Sequence, residues 1–181
     1  MMQTLTDKIR RAQRAAPVDV EGLAMDLCVQ VNFTRLGPDI SGELVRTKDG
    51  GYEVNVNSDH PETRQRFTLA HELGHYLLHR SLIGDGVDDD RAYRSTQAGR
   101  YHNTRIGPRQ ETQANKFAAD LLMPFHLIEE LRSEGLDRAR MARRLKVSEH
   151  AMAIRLGEPY PSPSSGRARV APAFEREPQL S

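Results

Sequence analysis

The stretch FTLAHELGHYLLHR, residues 67–80, limits the possible folds of this chain more than any other segment. It reads as a helix, and it carries His71, Glu72, His75 and His79. A helix turns about 100° and rises about 1.5 Å per residue, so His71 and His75 leave the same side roughly 6 Å apart. Two imidazoles placed this way reach a single Zn²⁺ at about 2.0–2.1 Å. Glu72 stands beside them on the rim, where a carboxylate accepts a proton from water without itself becoming a ligand. HELGH therefore fits the HExxH pattern with each role filled. Shuffling the same composition yields roughly 0.02 such matches, so chance is a poor explanation. The plainer alternative leaves both histidines as polar-face residues of a helix whose buried stripe is FTLA and LL.

A catalytic zinc commonly takes three protein ligands and keeps a fourth position open, so a third ligand has to come from elsewhere. His79 lies about 12 Å of helix rise beyond His71 and about 80° around the axis, too far for one ion to reach all three from a straight helix. It is expected at the rim or in packing unless the helix breaks at Gly74. The extended HExxHxxGxxH pattern fails, because Leu78 and Ser81 occupy the positions that need Gly and His. Glu111 fits better. It opens a second amphipathic stretch, and Asn115 follows at i+4 on the same face while Ala114, Phe117 and Ala118 point inward. Asn115 is then a candidate to accept a hydrogen bond from the free ring nitrogen of a ligating histidine. A solvated first-turn glutamate favoured by the helix dipole is the bland alternative for Glu111.

The rest of the chain supplies the frame. Its 181 residues suit one domain, and a net charge of +1 gives no global pull toward nucleic acid or membrane. Cys28 is the only cysteine, which excludes an intramolecular disulfide and a multi-cysteine zinc site. The polar, basic start MMQTLTDKIRRAQRAA has no apolar core, and no apolar run is long enough to span a bilayer, so a cytoplasmic location without membrane contact is expected. Leu5, Ile9 and Ala12 at helical spacing predict a first helix, and Asp19 caps a second with Val20, Leu23, Ala24 and Leu27 on one face. VQVNFTRL (29–36), ISGELVR (40–46) and YEVNVN (52–57) predict a small antiparallel sheet of about three strands. Asp59 and Glu62 suggest a capping box, starting the long helix near residue 60 and carrying it through Arg80. Residues 84–107 show no sustained period and suggest a long loop. A helix resumes over 109–123 until Pro124, and further short helices follow. After Gly157 the segment holds five prolines in 24 residues and little to bury, so 158–181 is expected to be a disordered Pro/Ser-rich tail.

RFTLAHELGHYLLH together with ETQANKFAADLLMP resembles the ImmA/IrrE family of zincin-type metallopeptidases, over about residues 17–156. The resemblance implies an α+β, zincin-like fold over 1–157, with the small sheet packed on a mainly helical domain that carries the HExxH helix. It implies Zn²⁺ held by His71, His75 and Glu111, with Glu72 as general base. It also implies a cytosolic regulatory endopeptidase whose substrate is a DNA-binding repressor, acting in stress-response or mobile-element control. Tyr93, Tyr101, His102 and His126 are candidates to stabilise an oxyanion, each with packing or surface roles as the alternative. Substrate is expected to add to an exposed edge of strand 52–57, with 84–107 as a lid. Mn²⁺ or Fe²⁺ also suits a His₂Glu site.

From Arg132 to Arg155 there are seven Lys or Arg against three Asp or Glu, and RMARRLKVSEHAMAIRL reads as helix, tight turn at Val147 and Ser148, then helix. This basic pair within 132–157 resembles a helix-turn-helix, which makes DNA contact through 138–156 an alternative expectation. Two packed helices with solvated basic faces are the plainer reading. The rival function is thus a metal-stabilised regulatory or DNA-binding module, or a toxin–antitoxin-linked component, with little turnover.

Overall fold

A computed structural model of the chain describes residues 3–83, 86–90 and 106–160. The first helix, α1 (Leu5–Ala12), begins where Thr4 and Asp7 cap each other reciprocally, side chain to backbone in both directions. Asp19 does the same work more simply for α2 (Val20–Asp26), its carboxylate accepting from the Gly22 N–H at 2.9 Å. Four strands follow: β1 (Val29–Thr34), β2 (Ile40–Arg46), β3 (Tyr52–Asn57) and β4 (Gly86–Asp90).

The class is α+β, as expected, but the sheet is mixed. Its order is β1-β3-β2-β4, with β3 parallel to β1 and antiparallel to β2, and β4 antiparallel to β2. The short link from β1 therefore carries the chain past the slot that β3 later fills. Asn57, 1% exposed, secures this link by donating its amide to the carbonyls of Gly37 and Ile40 at 2.7 and 2.8 Å. Val54 and Val56 are fully buried, as a strand covered on both edges and one face requires. The expected open edge at 52–57 does not exist, because both sides of β3 are paired. Among the described residues the sheet's edges are β1 and β4.

The long helix α3 runs Glu62–Leu78 without a break at Gly74, and a 3-10 turn at Arg80–Leu82 follows it. Its start differs from the expected capping box. Pro61 sits at the cap, where it offers no side-chain acceptor, and the Asp59 carboxylate pairs with Arg35 at 3.2 Å instead. Helices α4 (Pro108–Leu122), α5 (Phe125–Ser133), α6 (Arg138–Leu145) and α7 (Glu149–Leu156) complete the fold. Pro108 begins α4, and Pro124 ends the run by serving as the cap of α5. The turn between α6 and α7 centres on Lys146, whose φ of 53° lies in the left-handed region, and Ser148 caps α7.

Helix α3 lies against both β2 and α4, and two glycines permit the approach. A Cβ on Gly42 of β2 would come within 2.4 Å of Thr68 Cγ2 and 3.7 Å of Glu72 Cγ. A Cβ on Gly74 would stand 3.1 Å from the Phe117 ring and 3.2 Å from Ala114 Cα. One apolar cluster extends from Ala12 to Met152 and takes in residues of α2, the sheet, α3 and all four later helices. Residues 91–105 and 161–181 fall outside the described region, and with them Tyr93, Tyr101, His102, most of the expected lid and nearly all of the expected tail. Within 84–107, residues 86–90 form β4 rather than loop.

Candidate metal centre

Helix α3 brings His71 and His75 to one point, 2% and 0% exposed, with their Nε2 atoms 3.0 Å apart. Helix α4 supplies Glu111, whose carboxylate oxygens lie 3.2 Å from His71 Nε2 and 3.3 Å from His75 Nε2. The Gly74–Ala114 approach explains how a carboxylate in the first turn of α4 reaches that far: with no side chain on Gly74, the backbone of α4 at Ala114 comes close against α3.

These separations fit a divalent ion. Three ligands at about 2.0–2.1 Å in tetrahedral directions lie roughly 3.3 Å from one another. The outward ring nitrogens agree. His71 Nδ1 donates to Asn115 Oδ1 at 3.0 Å, which turns its Nε2 inward, where it donates to Glu111 when the ring is protonated and offers a lone pair to an ion when the ring is neutral. His75 Nδ1 lies 3.1 Å from His79 Nδ1. Two imidazole nitrogens and a carboxylate thus converge, and among the described residues this is the group whose geometry suits a metal ion.

The electrostatics of the metal-free protein favour the forms that bind metal. Burial raises the Glu111 pKa, but hydrogen bonds and charge from His71 and His75 outweigh it and bring the value down to about 2. The carboxylate therefore stays ionised. Burial lowers the pKa of His75 below the ordinary imidazole value, the hydrogen bond to Glu111 opposes this, and His71 and His79 add to the lowering. A neutral imidazole is the form a metal needs.

Glu72 departs from the expected rim position. It is fully buried, because Gly42 lets β2 lie directly over its side chain. His79 is buried as well, at 5% exposure, and its Nε2 lies 2.9 Å from Gln113 Oε1. It stands outside the converging group of His71, His75 and Glu111, in keeping with the helix arithmetic, yet it touches His75. Gln113 was missed by sequence reasoning, which followed only the Glu111–Asn115 face of α4. His126 donates from Nε2 to the Gln13 carbonyl at 3.0 Å, a tie between α5 and the end of α1 rather than a group in this site. On the basic pair, Arg138, Arg140, Lys146 and Arg155 each make an ion pair within the molecule, with Glu149 and Glu158, Asp137, Glu62 and Asp120 respectively. Arg143 and Arg144 stand at the surface. Among the described residues no helix is long and apolar enough to cross a membrane.

An HExxH helix under a small sheet, with a carboxylate brought in by a following helix, defines a zincin-like domain. The chain belongs to the Peptidase_M78 family, described as the IrrE N-terminal-like domain, which it matches over residues 24–157. It is 38% identical over 120 residues to the radiation response metalloprotease IrrE of Deinococcus deserti, covering 61% of this chain and 40% of that protein. It is 33% identical over 136 residues to the radiation response metalloprotease IrrE of Deinococcus radiodurans, covering 70% of this chain and 39% of that one. The chain thus spans about two-fifths of these curated relatives.

Proposed function

We propose that this chain is a zinc-dependent endopeptidase in which His71, His75 and Glu111 hold the ion and Glu72 is the general base. The observation that carries the reading is the convergence of His71 Nε2, His75 Nε2 and the Glu111 carboxylate at 3.0–3.3 Å, with Glu72 adjacent on the same helix. Zn²⁺ bound there would act as a Lewis acid toward a peptide carbonyl and lower the pKa of water. The chain's own groups do the rest. Glu72 accepts the proton from the attacking water and returns it to the departing amine, the work of a single carboxylate used twice. Asn115 holds the His71 ring, and the cover of β2 keeps bulk water from Glu72, so that the field of its carboxylate is little screened.

The substrate in this reading is a cytosolic protein, a DNA-binding repressor encoded near this gene, whose cleavage releases stress-response or mobile-element genes. The family match and the metalloprotease names of the relatives support a protein substrate, and the repressor is the further step of this proposal. The 1–157 region forms the catalytic unit. Incubating the zinc-loaded protein with repressor-like proteins encoded beside it, and reading new N-termini by mass spectrometry, tests the proposal. Wild type yields one discrete cut. Glu72→Gln binds zinc as well as wild type and cuts about 10²–10⁴-fold more slowly. A wild-type protein that cuts none of them, and whose regulatory effect survives Glu72→Gln but is lost on charge reversal at Arg143 and Arg144, would instead be a DNA-binding module.

A further inference from the structure

The long helix carries a third histidine that the hydrolytic reading leaves without a task. His71, His75 and His79 follow one another at i, i+4 and i+8, and each step drifts about 40° around the axis. His79 therefore ends up behind His75 rather than beside the metal point. The ring centroids record the ladder, 4.7 Å from His71 to His75 and 5.2 Å from His75 to His79.

Resting on the metal-centre reading above, we propose that His79 and Gln113 are positioning residues that fix the tautomer and tilt of the His75 ring, and so set how tightly the ion is held. The hydrogen-bond chain has one consistent direction. With His75 Nε2 turned inward, its proton sits on Nδ1 and is donated to His79 Nδ1 at 3.1 Å. His79 accepts there, so its own proton sits on Nε2, where it is donated to Gln113 Oε1 at 2.9 Å. An acceptor at position 113 thus determines which nitrogen of His79 carries hydrogen, and through it which nitrogen of His75 faces the metal.

Helix α4 then serves the site three times. Glu111 is a ligand, Asn115 orients one histidine directly, and Gln113 orients the other through an intermediate ring. His71 is steered by one hydrogen bond and His75 by two in series. Ligating histidines generally hold their second nitrogen in such a contact, and losing it costs about 10–100-fold in metal affinity. His79 is 5% exposed, so water does not readily substitute for it.

Gln113 makes the cleaner test, because its side chain lies at the protein surface and its replacement leaves the core untouched. Zn²⁺ affinity is measured by competition with a chromogenic chelator for wild type, Gln113→Met, Gln113→Glu and His79→Leu, with the melting temperature of each chelated protein recorded alongside. Gln113→Met, similar in size but unable to accept as oxygen does, loses about tenfold in affinity with an unchanged metal-free melting temperature. Gln113→Glu keeps the acceptor and keeps the affinity. His79→Leu loses at least as much as Gln113→Met. In the zinc-loaded wild type, nitrogen-15 NMR shows His79 protonated on Nε2. Gln113→Met affinity within twofold of wild type, or His79 protonated on Nδ1, overturns the proposal while leaving the metal centre standing. A folded wild-type protein that takes up no zinc overturns both.

Discussion

At the scale of single residues, Glu111 carries a charge-sensitive role. In the metal-free protein its folded-state pKa of about 2 lies below its ordinary value of 4.5. Unfolding therefore takes up a proton between those values, and stability present above pH 4.5 is lost as the pH falls toward 2. His75 acts in the same direction at higher pH, because its pKa is also depressed on folding, so loss begins as the pH drops below the ordinary imidazole value of 6.5. Thermal melts of the chelated protein should show a decline on acidification through both windows. Glu111→Gln should flatten the lower one, and an unaltered slope there would mean that the carboxylate is not engaged by the histidines. His71, Glu72 and His75 were legible in the sequence because their relation is set by helix pitch alone. Glu111 was legible only as a candidate, since its partner lies across a helix interface. Gln113 was not legible: its role depends on how α3 and α4 are set side by side.

At the scale of elements, the α3–α4 seam decides whether the site exists. Gly74 forgoes about 1 kcal/mol of helix propensity relative to alanine, and the compensation is the close contact with Ala114. Gly74→Val places branched bulk against Ala114 and Phe117. It should destabilise the chelated protein by about 1–3 kcal/mol in urea unfolding and weaken zinc binding, because the carboxylate is carried away from the imidazoles. A variant with unchanged stability and affinity would show that the seam has room for a side chain at position 74, where an added Cβ would stand 3.1 Å from the Phe117 ring. The strands were the harder elements to read. Their presence followed from β-rich runs between turn signals, but parallel pairing of β1 with β3 is a non-local choice that no short pattern encodes. The β4 stretch GVDDD lacks the alternation that would have marked it, and the Asp59–Glu62 pair resembled a cap until Arg35 claimed Asp59.

At the scale of the molecule, metal binding and folding should be linked. An ion that binds the folded state alone at a thousandfold excess over its dissociation constant contributes about 4 kcal/mol. For a domain of this size that corresponds to roughly 8–16 °C in melting temperature. Differential scanning calorimetry should register such a rise with Zn²⁺ for wild type and for Glu72→Gln, and none for His71→Ala. A rise that persists in His71→Ala would place the bound zinc elsewhere.

The distant ties of the last two helices have a practical corollary. Arg155 donates to the Met123 carbonyl at 3.0 Å, Lys146 grips Glu62 at the head of α3, and Met152 is fully buried in the shared interior. Cutting the gene back to a minimal piece that ends soon after α4 would therefore strip Leu127, Leu131, Leu145 and Met152 from the shared apolar interior and expose the groups they cover. Such a fragment should be recovered from cells as insoluble aggregate, not as a smaller working protein.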